Sequence, residues 1–140
     1  MNNMITPQTN NKSIRILIVD DIIQVRQDLH TVLPLAGRNA GLVIDVIGEA
    51  ANGEEAIQKA TALQPDVILM DLAMPVLDGF ESARQIKNHD PSCRVIALTV
   101  HDYEAARQKA FQCGVDGFVV KGAPIEMLVQ AITGEMDTPG

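Results

Sequence analysis

The chain has 140 residues, a formal net charge of -7 and a pI near 4.8. That length suffices for one domain with a real core. Eighteen acidic residues against eleven Lys and Arg argue against direct binding to a nucleic-acid backbone or an anionic membrane surface, since both need clustered cations.

Hydrophobic residues make up 46% of the chain but aromatics only 3%, so Ile, Val, Leu and Ala must build the core. The two cysteines, Cys93 and Cys113, form no C-x-x-C pair and read as small apolar residues rather than a bridge. No apolar run approaches the roughly 18 residues of a membrane span. The start, Met1 to Pro7, lacks the basic and apolar regions of a secretion signal, so the expected location is the cytoplasm.

Residues 1 to about 12 are rich in Asn, Thr and Gln and are expected to be a flexible leader. Ile14 to Val19 is β-branched and too apolar for a half-exposed strand. It reads as a central parallel strand covered on both faces, stopping at Asp20-Asp21. Val25, Leu29, Val32 and Leu33 fall on one helical face, and Pro34 with Gly37 is expected to end that helix. A second strand is expected over Leu42 to Ile47. Asn52-Gly53 then turns the chain into a short helix carrying Ala56, Ile57, Ala60 and Leu63. Val67 to Met70 is the third strand and leads to Asp71. A helix over about 79–88 packs Phe80, Ala83 and Ile86, and a fourth strand, Val95 to Leu98, runs into Thr99.

The helix expected over about 102–113 turns inward only Ala106, Ala110 and Cys113, with Phe111 beside them. Small side chains bury little area, so it should be the least firmly anchored. Phe118 to Val120 is a fifth strand closing on Lys121, and a last helix carries Ile125, Leu128, Val129 and Ile132. The domain is expected over 13–134, with 135–140 a tail or the start of a linker. Five β-α units predict an α/β fold: a doubly wound, five-stranded parallel sheet in the order 2-1-3-4-5.

In such a sheet every strand ends on one edge. Asp20 and Asp21, Asp71, Thr99 and Lys121, separated by up to a hundred positions, would converge there. Three carboxylates repel one another unless a cation intervenes, and all-oxygen ligands favour a hard ion such as Mg²⁺. Such an ion suits phosphoryl transfer, with Asp71 as nucleophile forming an acyl phosphate. Lys121 would supply a positive charge to a phosphoryl oxygen and Thr99 a hydroxyl. Each residue alone has a plainer reading: a helix cap, a turn residue, a surface lysine.

With these residues in place, the chain resembles the receiver domains of two-component response regulators over about Ser13 to Thr133. The motifs are Val19-Asp20-Asp21, Met70-Asp71 with Met74-Pro75 and Asp78-Gly79, Ala97-Leu98-Thr99, and Lys121. Gly48 to Ala56 is also similar to receivers that precede LuxR-type helix-turn-helix output domains. The resemblance implies a flavodoxin-like receiver fold and a phosphoacceptor switch at Asp71, charged by a histidine kinase or phosphotransfer protein. It implies Mg²⁺, with Mn²⁺ an alternative, held by Asp21, Asp71 and the Ala73 backbone carbonyl, with Asp20 acting through water. Thr99 and Phe118 match the family's switch pair. Downstream the partner is an unknown protein or an output domain outside this sequence, and a homodimer through the last helix stays open.

The sequence departs from the commonest pattern at three places. Gly122 stands where Pro usually follows the lysine, Val100 is bulkier than the usual Ala or Gly, and Ala73 stands where Asn is frequent. Ala73 also occupies the place where phosphatases with an Asp nucleophile carry a second acid, which weighs against a turnover enzyme. The turn after the first strand has no glycines to cradle a nucleotide phosphate. The remaining alternatives are an interaction module that works without phosphorylation and the receiver part of a longer DNA-binding regulator.

Overall fold

A computed structural model describes residues 13–74 and 76–134. The expected leader and tail, and Pro75, lie outside the described residues. Five strands alternate with five helices. They are β1 (Ile14–Val19), α1 (Ile23–Asn39), β2 (Ile44–Ala50), α2 (Gly53–Leu63), β3 (Val67–Met70), α3 (Gly79–His89), β4 (Arg94–Thr99), α4 (Glu104–Gln112), β5 (Gly117–Val120) and α5 (Ile125–Thr133). The strands form one parallel sheet in the order β2-β1-β3-β4-β5, the expected doubly wound topology.

Period-two alternation along the strands splits the core into two layers. Leu17, Val19, Ile68, Met70, Val95, Ala97 and Phe118 face α2, α3 and α4 through Ala56, Ala83, Ile86 and Ala110. Ile16, Ile18, Val67, Leu69, Ile96, Leu98 and Val119 face α1 and α5 through Leu33, Leu128, Ala131 and Ile132. Both faces of the inner strands are therefore dry, which is why these segments read as unbroken apolar runs. As expected from its small side chains, α4 buries only Ala106 and Ala110 from its own length.

Two expectations are corrected. α1 does not end at Pro34 or Gly37 but runs through both to Asn39. Pro34 has no N–H for the carbonyl four residues back, an interruption that costs on the order of 3 kcal/mol in an isolated helix. Tertiary packing overrides it. Leu33 is fully buried, and Gly37 lies so close to the sheet that a Cβ there would sit 2.7 Å from Ile44 Cδ1. The stop comes at Gly41, where φ is +78° and the Gly41 and Leu42 amides cap the Arg38 and Gly37 carbonyls. Val32 is exposed, against its expected place on the inner face.

The second correction is β2, which starts at Ile44 rather than Leu42 and runs on to Ala50. Its pairing with β1 slips between Val46 and Gly48, so Ile47 is an extra, bulged residue. Beyond the slip the pairing continues, and the Ala50 carbonyl accepts the Asp20 amide at 3.0 Å.

The glycine opening α3 sets the path of the loop after Asp71. A Cβ at Gly79 would stand 2.2 Å from the Asp71 carbonyl oxygen and 2.6 Å from Leu72 Cα, both rigid backbone. Gly79→Ala is expected to lower unfolding free energy in urea by about 2–4 kcal/mol. Gly122→Ala, at φ +95° but with open space around the new Cβ, should lose only about 1 kcal/mol. Equal losses would mean that close approach does not govern position 79.

Candidate functional site

The ladder hydrogen bonds do not stop where the strands do. The Asp20 amide donates to Ala50 at the end of β2, and the Asp71 amide donates to Val19 at the end of β1. The Lys121 amide donates to Thr99 at the end of β4. Each residue just past a strand is thus pinned by its neighbour strand, and the side chains meet on one rim.

Asp20 and Asp71 are buried there, and Asp21 is exposed at the mouth. Each of the three offers a carboxylate oxygen, and these atoms lie within 4.8 Å of one another. Lys121 Nζ reaches in between, 2.7 Å from Asp20 Oδ2 and 3.4 Å from Asp71 Oδ2. Asp20 Oδ1 accepts the Ile22 amide at 2.9 Å, and Asp71 Oδ1 accepts the Ala73 amide at 3.2 Å.

Burial, then the neighbouring Asp20 charge, push the Asp71 carboxyl above its ordinary range. The Ala73 amide and Lys121 offset this only in part. Burial alone would pull Lys121 down, but its hydrogen bond to Asp20 and the charges of Asp71 and Asp20 outweigh it and raise its pKa. One ammonium against three carboxylates leaves the pocket short of positive charge. The donor set, hard oxygens on a rigid rim open on the Asp21 side, fits a small divalent cation.

Thr99 is fully buried, and its Oγ1 accepts the His101 amide at 3.1 Å. Val100 beside it is exposed. Phe118 is buried in the layer with Met70, Ala97 and Ala110. The guanidinium of Arg107, on α4, lies 5.5 Å from the ring centroids of both Phe118 and Phe111. Nothing in the sequence pattern signals this cation–π clamp, nor the Lys109 ammonium 4.3 Å from the Phe80 centroid. Helical spacing does place residue 107 one turn from residue 111, but nothing local points it at β5. Gly122, at φ +95°, occupies a backbone region closed to proline, and the described residues contain no cis peptide bond.

The family model for the response regulator receiver domain matches residues 16–133. The chain belongs to the response regulator receiver family. The response regulator GacA of Pseudomonas viridiflava is 38% identical over 120 residues, which are 85% of this chain and 53% of that protein. The chain thus spans about half the length of the GacA proteins it matches. The chemotaxis protein CheY of Thermotoga maritima is 33% identical over 118 residues, 84% of this chain and 93% of CheY. A two-component response regulator of the LuxR family from Aurantimonas sp. SI85-9A1 has a crystal structure that superposes with a TM-score of 0.79. It is 32% identical and covers 89% of this chain and 85% of that one. Receiver domains of this kind are signalling domains of two-component systems, and the relatives include the transcriptional regulatory protein LnrK of Bacillus subtilis and a DNA-binding response regulator of the LuxR family from Staphylococcus aureus. Among the described residues no helix is long and apolar enough to cross a membrane.

The raised Asp71 pKa fixes a pH dependence. The ionised carboxylate is penalised in the fold, so stability drops as pH rises from the ordinary Asp range through the raised value, and the penalty is full above it. Without divalent ions at neutral pH, Asp71→Asn is expected to be more stable than wild type by on the order of 1 kcal/mol. The gap should close below about pH 4. Thermal unfolding in EDTA across pH checks this, and a less stable variant at neutral pH would contradict it.

Proposed function

We propose that this receiver domain is a phosphoacceptor switch, charged at Asp71 by the phosphohistidine of a histidine kinase or phosphotransfer protein. The observation that carries the reading is the junction of Asp20, Asp21 and Asp71 with Lys121 at one rim. An Asp71 carboxylate oxygen attacks phosphorus. The bond from phosphorus to the donor nitrogen breaks, the leaving imidazole keeps the electron pair, and an aspartyl phosphate remains. Lys121, already within 3.4 Å of Asp71, is placed to pair with a phosphoryl oxygen.

Asp21, Asp71 and the Ala73 carbonyl are the proposed ligands of Mg²⁺, with Asp20 acting through water; Mn²⁺ suits the same oxygens. The ion, when bound, offsets the charge of the phosphoryl oxygens against the acids. No second carboxylate stands two residues beyond Asp71, so the domain catalyses only its own phosphorylation and dephosphorylation. Buried Thr99 is the proposed donor to the phosphoryl group, with Phe118 its switch partner. Moving Phe118 would break its stacking on Arg107 and so alter the surface of α4, a helix that buries only two alanines. The share of GacA covered by this chain, and the similarity to LuxR-family regulators, favour an output domain that regulates transcription as the downstream element.

Incubation with Mg²⁺ and a small acyl phosphate is expected to add the mass of one phosphoryl group. Asp71→Asn should gain none, EDTA should suppress the gain, and Lys121→Ala should slow it by about a hundredfold or more. An unmodified wild type, or a variant at position 71 that gains the same mass, would overturn the assignment.

A further inference from the structure

Asp20 is held from four directions, and one hold comes from a residue with no place in the mechanism above. Its amide is bound to Ala50, its Oδ1 to the Ile22 amide and its Oδ2 to Lys121. The fourth contact is to its backbone carbonyl oxygen, which accepts Arg26 Nη1 at 2.7 Å. The same guanidinium donates through Nε to Glu49 Oε1 at 2.9 Å. The other Glu49 oxygen lies 3.2 Å from His30 Nδ1. Arg26 is in the first turns of α1 and Glu49 is the next-to-last residue of β2. One planar fork therefore joins α1, the end of β1 and the end of β2.

The Asp20 carbonyl belongs to the peptide that carries Asp21. The Asp21 carboxylate makes no hydrogen bond or ion pair of its own among the described residues, so its place depends on that peptide. The Arg26 side chain is mostly covered, 14% exposed, which limits the access of competing water to the carbonyl. Burial would push the Glu49 carboxyl up, but Arg26 and His30 together hold it below its ordinary range, so it stays anionic and keeps Arg26 aimed.

We infer that Arg26 is a positioning residue for the cation site: it locks the Asp20–Asp21 peptide through the Asp20 carbonyl, and Glu49 orients it for that task. The inference rests on the reading of the pocket as a divalent-cation site. Outer partners that orient ligands in this way are worth tenfold or more in metal affinity. Residues 26 and 49 touch neither the ion nor the phosphoryl group, so their effect must appear in cation binding itself.

MgCl₂ titration of the whole chain, followed by the amide resonance of Asp21, and urea unfolding in EDTA separate positioning from plain stability. Arg26→Gln is expected to weaken Mg²⁺ binding about tenfold. Glu49→Gln should weaken it less, and the double variant should be no worse than Arg26→Gln, because both act through one carbonyl. Leu29→Ala, on the same helix but packed into the α1–α5 layer, should lower the urea midpoint and leave Mg²⁺ affinity within about twofold of wild type. Wild-type affinity in Arg26→Gln, or an equal loss in Leu29→Ala, overturns the inference and leaves the cation site standing. A wild type that shows no response to Mg²⁺ overturns the cation site and this inference together.

Discussion

Two buried carboxylates face one another at the end of the sheet, and a single ammonium stands between them. Lys121 lies 2.7 Å from Asp20 and 3.4 Å from Asp71, yet Asp71 still resists ionisation. The rest of the architecture keeps that unfavourable cluster from relaxing. Ladder hydrogen bonds reach one residue past β1, β3 and β5 to pin the acids and the lysine. Gly79 lets α3 press against the Asp71 carbonyl, which holds the loop after Asp71 close to the helix. A packed, two-layer core holds the strands in register and transmits that rigidity to the rim.

A pocket with surplus negative charge has much to gain from a cation. Under the proposed function, a dianionic group arriving there would give Lys121 more acceptors to choose among. Thr99 and Phe118 lie in the neighbouring strands β4 and β5, so a shift at the rim has a short path to α4. Under the proposed function, the Arg107 clamp on Phe118 and Phe111 would be the endpoint of that path on the surface.

The strand ends were legible in the sequence because buried parallel strands are short, β-branched and followed abruptly by polar residues. Val19-Asp20-Asp21 and Met70-Asp71 announce their positions without help from the rest of the chain. The end of α1 was not legible. Pro34 and Gly37 are local stop signals, and the helix passes both because Leu33 is buried and Gly37 packs against Ile44. The bulge at Ile47 depends on strand pairing, which a one-dimensional pattern does not carry. Arg26 and Glu49 are 23 positions apart and look like two solvated charges until the sheet order brings β2 beside β1. Pairwise contacts of that kind are three-dimensional facts, and so they were missed.

The flanks of the sheet carry their own consequence. Among the described residues β2 pairs only with β1 and β5 only with β4, so each leaves one side of its backbone without a strand partner there. On the β2 side an approaching strand would meet the irregularity at Ile47 and the outward carboxylate of Asp45. On the β5 side it would find four residues and then the abrupt bend at Gly122. Neither flank offers a long, flat template, so lateral growth of the sheet into fibrils is discouraged by the same short strands that deliver acids and lysine to the rim.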